Sequence, residues 1–213
     1  MKKNSLNKEN NFVYKIITIG DSGVGKTSII RKYLYNIFEQ STINTIGLNF
    51  SFKEIVLKNK KKIKLKILDT AGQEKYNSLT KTYYKNADAV LFVFDINNKK
   101  SFDSIINWID LFNENHNGKK GIPAYLIGNK CDLEKKVEKE SIDKFIKETG
   151  FEYREMSAYA DEDNKFSAIF QEIAEKIYLY EIKNGNQSQK GKKVSKYKHK
   201  NSDQTQCQLC IVS

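Results

Sequence analysis

The sequence predicts an α/β fold: a mostly parallel six-stranded sheet with one antiparallel edge hairpin and helices on both faces. Short apolar runs such as Ala89–Phe94 and Ala124–Ile127 are typical of strands that are covered on both faces. Segments with helical periodicity alternate with these runs along the chain. Two neighbouring segments, Leu48–Leu57 and Ile63–Leu68, instead alternate polar and apolar residues, which favours an antiparallel hairpin.

The elements follow one another in an order that suits this fold. Phe12–Ile19 is a β-rich run that ends at Gly20, and a helical pattern follows after a polar glycine loop. The lysines at 62, 64 and 66 share one strand face and predict a solvated or edge strand. Ser101 is expected to cap a helix after the fourth strand. Two predicted helices each have an apolar stripe. The first stripe contains Phe102, Ile105, Ile106, Ile109 and Phe112, and the second contains Phe166, Ile169, Phe170, Ile173 and Ile177.

Length and composition predict one domain with polar ends. A chain of 213 residues can form one substantial domain. After Lys183 the composition shifts to Asn, Gln, Ser and Lys, which cannot bury enough apolar surface to offset the entropy of ordering. We therefore expect a flexible N-terminus at 1–11, a globular domain at 12–183 and a disordered basic tail at 184–213.

The positive charge is concentrated at the ends of the chain. The formal net charge is +11, and the tail contains six lysines against Asp203 alone. Only two basic residues are arginines, Arg31 and Arg154, whereas reading of base edges favours arginine. This composition argues against sequence-specific nucleic-acid binding. Three cysteines give no disulfide framework and fit a reducing cytosol, and no apolar run approaches the length that spans a bilayer.

The first motif predicts a phosphate-binding loop. Residues Gly20 to Thr27 fit G-x-x-x-x-G-K-[ST] between a predicted strand and a predicted helix. The glycines let backbone N–H groups wrap phosphate oxygens, Lys26 reaches the β- and γ-phosphates, and the Thr27 hydroxyl ligates Mg²⁺. An ordinary glycine turn is the alternative for the motif alone. The residues assigned to the nucleotide here are Ser22, Gly23, Val24, Gly25, Lys26, Thr27 and Ser28.

The second motif, Asp69-Thr70-Ala71-Gly72-Gln73, follows the lysine-rich strand. A carboxylate at Asp69 can hold Mg²⁺ through water, Gly72 lets the backbone approach a γ-phosphate, and Gln73 can orient an attacking water. The alternative is an ordinary turn after a strand.

The third motif, Asn129-Lys130-Cys131-Asp132, predicts a guanine site. Asp132 can accept hydrogen bonds from the guanine N1–H and amino groups, which adenine does not offer. Asn129 can bridge loops and contact the base edge, and the stem of Lys130 can lie over the ring. Ser157 and Ala158 follow another short strand and could present a backbone N–H to the guanine carbonyl oxygen. These residues follow strand ends, where open α/β sheets bind ligands.

Together, the motifs resemble those of the Ras superfamily of small GTPases, and within it most closely the Rab family, over roughly residues 12–180. The Rab-like stretches are Ile46–Phe50, Lys75–Thr80 and Tyr83–Ala87. The resemblance implies the small G-protein version of the P-loop NTPase fold.

The resemblance adds two nucleotide contacts and shows two departures. It implies that Phe38 stacks on guanine and that Thr45 binds Mg²⁺ and the γ-phosphate. Rab proteins usually carry Trp where this chain has Leu68 and Asp where it has Asn49. Because that Trp helps to shape an effector surface, the departures concern the choice of partner and not the nucleotide chemistry.

The resemblance also implies a mechanism and a set of partners. Lys26 and Gln73 would be catalytic, and Thr27, Thr45 and Asp69 would hold Mg²⁺ beside GTP or GDP. Since no arginine lies in these motifs, we expect hydrolysis at about 10⁻⁴–10⁻³ s⁻¹ without a GTPase-activating protein. The other implied partners are an exchange factor, a prenyl-binding escort protein of the GDI type and effectors that bind the GTP state. We expect a monomer.

The last residues predict a lipid anchor. Cys210-Ile211-Val212-Ser213 fits C-a-a-X, and the final Ser favours farnesylation. One isoprenoid anchors weakly, so Cys207 and the tail lysines are candidates for a second signal. The alternatives are a zinc site and a chance tail sequence, but a zinc site usually needs four ligands and only His199 accompanies the two cysteines in the tail. The expected location is the cytoplasmic face of an intracellular membrane, with a cytosolic pool.

Three other functions compete with a Rab-like switch in vesicle traffic. Leu68 and the C-a-a-X ending also suit a Ras-type signalling GTPase. A P-loop ATPase or nucleotide kinase would lack the guanine motif and usually supplies catalytic arginines. A nucleotide-binding scaffold without turnover is disfavoured by Gln73.

Overall fold

The computed structural model describes residues 12–39, 49–70, 81–118, 120–160 and 164–188, and the structural statements below refer to them. Strands and helices alternate along most of this length. In chain order they are β1 Phe12–Ile19, α1 Lys26–Tyr35, β2 Asn49–Val56, β3 Lys62–Asp69, α2 Lys81–Tyr84, β4 Ala89–Asp95, α3 Lys99–Asp103, α4 Ile105–Asn115, β5 Ala124–Asn129, α5 Lys139–Thr149, β6 Glu152–Glu155 and α6 Lys165–Ser188.

The six strands form one sheet in the order β2-β3-β1-β4-β5-β6. The β2–β3 pair is antiparallel, and every other neighbouring pair is parallel. The predicted fold class is therefore confirmed, including the antiparallel hairpin at one edge. Because five strands are parallel, their carboxyl ends meet at the same edge of the sheet, where ligand sites of such folds lie.

Apolar layers cover the two faces of the sheet. Alternate residues of β1 point to opposite layers, with Ile16 in one and Ile17 in the other. In the first layer α1 meets α6 where the rings of Tyr33 and Phe170 stack 3.9 Å apart. The second layer includes the buried Trp108 of α4. Helices packed on both faces hold the strand ends in a fixed arrangement.

The lysine row lies on β3, which is the second strand from the edge, while β2 is the edge strand. The solvated face predicted for these lysines is correct, since Lys62 is exposed and Lys64 and Lys66 are partly exposed. The edge placement does not apply to this strand. The sequence could not show which strand of the hairpin lies at the edge of the sheet, because both strands have the same alternating pattern.

The helix after β4 begins earlier than predicted. Asn98, and not Ser101, caps α3, because its extended backbone lets its side chain accept a hydrogen bond from the Lys100 N–H. Ser101 lies inside α3, where its hydroxyl donates to the Asn98 carbonyl at 2.7 Å. A new helix, α4, begins at Ile105, and Ile106 of the predicted stripe is 57% exposed.

The final helix continues beyond the predicted end of the domain. Tyr178 is buried, yet α6 extends past Lys183 to Ser188. The Asn184 side chain donates to the Tyr180 carbonyl at 3.1 Å, which supports the helix beyond its packed part. No helix in the described ranges is long and apolar enough to cross a membrane.

A network of ion pairs joins β6 to α6. Glu172 pairs with Lys176 at 2.8 Å and with Arg154 at 3.1 Å. Partial burial would raise the pKa of Glu172, but the hydrogen bond from Lys176 and the two positive charges outweigh it and lower the pKa from 4.5 to about 2. A carboxylate whose pKa is lowered on folding stabilises the protein above its unfolded pKa and loses that contribution as the pH falls.

We expect Glu172→Gln to lower the free energy of unfolding at neutral pH by no more than about 1 kcal/mol, because solvent screens this partly exposed network. The difference from wild type should shrink as the pH falls from 4.5 towards 2. Urea unfolding across this range measures it. Glu148→Gln is the control, since Glu148 is exposed and lies 4.0 Å from Lys144. A pH-independent difference would contradict the assignment.

Candidate functional site

The loop between β1 and α1 has the conformation of a phosphate cradle. Gly20 and Gly25 have φ angles of 153° and 95°, a region that residues with a Cβ rarely adopt. A Cβ on Gly20 would lie 2.1 Å from the Val93 carbonyl oxygen, and one on Gly25 would lie 2.2 Å from Asn129 Nδ2. Both glycines are therefore required by backbone conformation and by close packing against β4 and β5.

Lys26 is the first residue of α1, and its side chain returns into the loop. Its Nζ donates to the Gly20 carbonyl at 2.9 Å and to the Asp21 carbonyl at 2.8 Å. The residue is only 5% exposed. A buried ammonium group held by loop carbonyls at a helix N-terminus attracts an anion. The predicted residues Ser22 to Ser28 form the rest of this loop and the first turn of α1.

The end of β3 places Asp69 beside this loop. Two threonines tie β3 to β1: the Thr18 hydroxyl donates to the Leu68 carbonyl at 3.0 Å, and the Thr70 hydroxyl donates to the Thr18 carbonyl at 2.7 Å. Both threonines are buried. These bonds fix the position of Asp69 between them.

Asp69 and Thr27 provide oxygen ligands of the kind that Mg²⁺ prefers. The Thr27 hydroxyl hydrogen-bonds to the Asp69 carboxylate. Asp69 Oδ1 is buried and has no hydrogen-bond partner among the described residues. Burial raises the pKa of Asp69, while the Thr27 hydrogen bond and the charges of Lys26 and Arg31 oppose the rise. A buried, unsatisfied carboxylate oxygen beside a hydroxyl fits a hard divalent cation.

Asn129 connects three loops at the end of β5. Its Nδ2 donates to the Val24 carbonyl at 2.8 Å, and its Oδ1 accepts from the Ala158 N–H at 3.2 Å. The side chain is 1% exposed. The predicted loop-bridging role of Asn129 is therefore present. The Ala158 N–H, predicted for the guanine carbonyl oxygen, hydrogen-bonds to Asn129 in this structure.

The predicted base-binding side chains lie together beside Asn129. The Ser157 hydroxyl donates to Asp132 Oδ1 and accepts from the N–H groups of Tyr159 and Ala160 at 3.2 and 3.0 Å. The Asp132 carboxylate is thereby oriented by a neighbour that is itself held by the backbone. Since a carboxylate has about four acceptor positions, Asp132 can bind Ser157 and a base at once.

Lys130 and Phe38 complete this end of the site. Lys130 has a positive φ of 64°, and its Nζ lies 2.7 Å from Asp95 Oδ2. This ion pair holds the lysine stem at the carboxyl ends of β4 and β5. Phe38 contacts Tyr159 edge to face, with ring centroids 5.3 Å apart, so the chain after α1 reaches the same loop.

Cys131 lies between the base-binding residues. It is a free, partly buried thiol. Burial and the charges of Glu155 and Asp132 raise the pKa of the thiol, which therefore stays protonated at neutral pH.

Three residues of the site were missed by the sequence reasoning. Trp108 donates its indole N–H to Asp21 Oδ1 at 2.7 Å, Asp95 pairs with Lys130, and Tyr159 packs on Phe38. Trp108 follows Ile105 by three residues, and this spacing could have placed it on the buried face of its helix. No local signal indicates the other two contacts.

Five predicted residues lie outside the described residues. They are Thr45, Gly72, Gln73, Cys207 and Cys210.

Known proteins resemble this chain over most of its length. The sequence model of the Ras family matches residues 15–179. Ras-related protein Rab-13 of Bos taurus is 39% identical over 178 residues, which cover 82% of this chain and 86% of that protein. Rab-8A of Mus musculus and Rab-8B of Homo sapiens are each 38% identical over 174 residues, covering 80% of this chain and 83% of theirs.

The matched range begins inside β1 and ends inside α6, so it contains the whole site. The chain belongs to the Ras family and is a small GTPase of the Rab type.

Proposed function

We propose that this Rab-type GTPase works as a switch in vesicle trafficking that alternates between GTP and GDP and uses Mg²⁺ for both binding and hydrolysis. The observation that carries the proposal is the Asn129 bridge, which joins the phosphate loop to the base-binding loops. Through this bridge, one ligand with a phosphate chain at one end and a purine at the other can contact Lys26 and Asp132 together.

Phosphate binding would depend on polar and positive groups of this chain. The loop N–H groups, the N-terminus of α1 and the Lys26 ammonium stabilise negative charge on the β- and γ-phosphates. Thr27 and Asp69, together with Thr45, would hold Mg²⁺, which would neutralise further charge on the transferred group. Gln73 would orient the attacking water, so positioning and electrostatics supply most of the catalysis.

Guanine selectivity comes from Asp132. Ser157 orients the carboxylate towards the base, where it accepts from the two N–H groups on the guanine edge. Lys130, held by Asp95, would lie over the ring, and Phe38 would stack on the base. Adenine offers no matching pair of donors, so the Asp132 carboxylate would lose water on binding it without gaining hydrogen bonds from the base.

The arginine for fast hydrolysis would come from a GTPase-activating protein. Arg31 forms an ion pair with Glu39, and Arg154 pairs with Glu152 and Glu172 on the surface. These are the two arginines of the chain, and neither lies at the phosphate loop. An exchange factor would be needed for GDP release, and a GDI-type escort would carry the lipidated form.

Effectors would contact the exposed face of the hairpin. Phe50 and Phe52 are 54% and 47% exposed, whereas Leu68, which replaces the usual Trp, is buried. Lys66 and Lys64 lie over the two phenylalanine rings at 4.6 and 4.8 Å. This face is therefore aromatic and basic, and it favours partners with acidic side chains around an apolar contact.

The membrane anchor would be the C-a-a-X cysteine Cys210, supported by Cys207 and the lysines of the tail. It would place the protein on the cytoplasmic face of an intracellular membrane.

We expect Asp132→Ala to weaken GDP affinity on the order of 100-fold or more, because each hydrogen bond to a charged group contributes substantially. Wild type should prefer guanine to adenine nucleotides, and the variant should lose this preference. Isothermal titration with GDP and ADP measures both. Asp103→Ala removes an exposed carboxylate that pairs with Lys99 and serves as the control. Equal affinity of wild type for GDP and ADP would contradict the guanine site.

We expect Gln73→Leu to slow GTP hydrolysis on the order of 10- to 100-fold while GTP affinity stays close to wild type, because misplacing a reactant has a cost of this size. Single-turnover phosphate release measures the rate. Gln171→Leu is the control, since Gln171 donates to the Val56 carbonyl, at the end of the β2–β3 hairpin that lies away from Asp69. Unchanged hydrolysis in Gln73→Leu would remove its assigned role.

We expect a fluorescent fusion, tagged at the N-terminus, to lie on intracellular membranes and to become diffuse when both Cys207 and Cys210 are changed to Ser. Cys210→Ser alone should have most of this effect, because the isoprenoid is attached there. Cys131→Ser, at the partly buried thiol, is the control and should leave the location unchanged. A diffuse signal in the wild type as well would rule out the anchor.

A further inference from the structure

Trp108 is the single tryptophan of the chain, and it contacts the phosphate loop directly. It lies on the buried face of α4 and is 1% exposed. Its indole Nε1 donates to Asp21 Oδ1 at 2.7 Å, across 87 positions of sequence. A hydrogen bond to a carboxylate is stronger than one between neutral groups, so this contact can restrain the loop.

Asp21 connects Trp108 to Lys26. Its side chain accepts from Trp108, and its carbonyl accepts from Lys26 Nζ at 2.8 Å. A displacement of Asp21 therefore displaces a carbonyl that accepts from the Lys26 ammonium. The glycines at 20 and 23, with φ angles of 153° and 77°, give this stretch little stiffness of its own.

The carboxylate of Asp21 also has an electrostatic effect. A negative side chain in a loop that binds phosphates would repel them at short range. Its hydrogen bond to the indole holds the carboxylate against α4 and partly compensates its charge.

The helix that carries Trp108 is fixed to the core. Four residues on, the Phe112 ring meets the rings of Tyr84 and Phe92 edge to face, with centroids 5.9 and 6.0 Å apart. Ile105, three residues earlier, is fully buried. The indole is thus a rigid donor that belongs to the core and not to the loop.

We propose that Trp108 is a positioning residue of the nucleotide site: it holds the Asp21 carboxylate and, through Asp21, fixes the direction of the Lys26 ammonium. The inference rests on the nucleotide binding proposed above. It adds a control of phosphate binding by α4, which none of the three sequence motifs contains.

A purely structural role predicts a different result. Buried indoles usually find an acceptor, and Asp21 could merely satisfy this one. In that case the loss of the bond would lower stability without a specific effect on nucleotide release. The two roles separate when release rates are compared among variants of similar stability.

The test uses the full chain loaded with fluorescent GDP and Mg²⁺, with release measured after excess GDP is added. Trp108→Phe keeps the aromatic ring and removes the N–H. We expect about tenfold faster release, the effect typical of one hydrogen bond to a charged group. Phe112→Leu is the control, because it reduces packing on the same helix without contact to Asp21. It should lower the midpoint of thermal unfolding but leave release unchanged.

Two substitutions at Asp21 keep the tryptophan in place. Asp21→Ala removes both the acceptor and the charge, whereas Asp21→Asn removes the charge and keeps an acceptor oxygen, so Asp21→Ala should release GDP faster than Asp21→Asn. The Trp108→Phe/Asp21→Ala double variant should be no faster than the faster single variant, since both changes break one bond. Additive effects would overturn the proposal.

Trp108 supplies its own spectroscopic signal. Selective excitation of the single indole should show an emission change when Mg²⁺ and nucleotide are removed from wild type. This change should be mostly lost in Asp21→Ala. If Trp108→Phe fails to fold, the Asp21 variants and this signal decide the question alone. Equal release rates in Asp21→Ala and Asp21→Asn, or an undiminished emission change, overturn the positioning role; a wild type that binds no guanine nucleotide contradicts the proposed function instead.

Discussion

The site depends on one buried amide. Asn129 donates to the Val24 carbonyl and accepts from the Ala158 N–H, so both ends of the amide are satisfied. A carboxylate at this position could not donate to Val24, and an apolar residue would leave both loop groups unpaired, each at a cost of about 1–3 kcal/mol. The amide also needs Gly25, whose missing Cβ provides the space for Nδ2. Asn129 and Gly25 are therefore constrained together, although they are far apart in the sequence.

The sheet places the charged groups that this bridge connects. Parallel pairing aligns Asp95 with Asn129 at the end of β4 and β5, and the Thr18 and Thr70 hydroxyls fix the end of β3 against β1. Asp69 is thereby held in a position where burial raises its pKa. A folded protein tolerates an unsatisfied carboxylate oxygen there only at a cost in stability, and such costs are typical of functional sites.

The sequence was informative where the chemistry is local. The phosphate loop and the Asn129–Asp132 segment are short motifs with a fixed relation to a strand end, so their residues could be named without coordinates. The bond from Trp108 to Asp21 could not, because it depends on how α4 packs on the sheet. The same holds for the pairing of Lys130 with Asp95. The predicted start of the helix at Ser101 was wrong for a different reason. Asn98 and Ser101 are both good capping residues, and only the backbone conformation distinguishes them.

The positive charge on β3 has an explanation that involves no polyanionic partner. On the exposed face of the hairpin, Lys64 and Lys66 lie over Phe52 and Phe50, which are diagonal to them across the strand pair. Cation–π contact and the apolar stems of the lysines cover part of the aromatic surface. The same positive charges discourage the edge strand β2 from pairing with another chain. A lysine row beside exposed aromatic rings therefore stabilises the uncovered face of a sheet, and the positive charge of this region needs no nucleic acid to account for it.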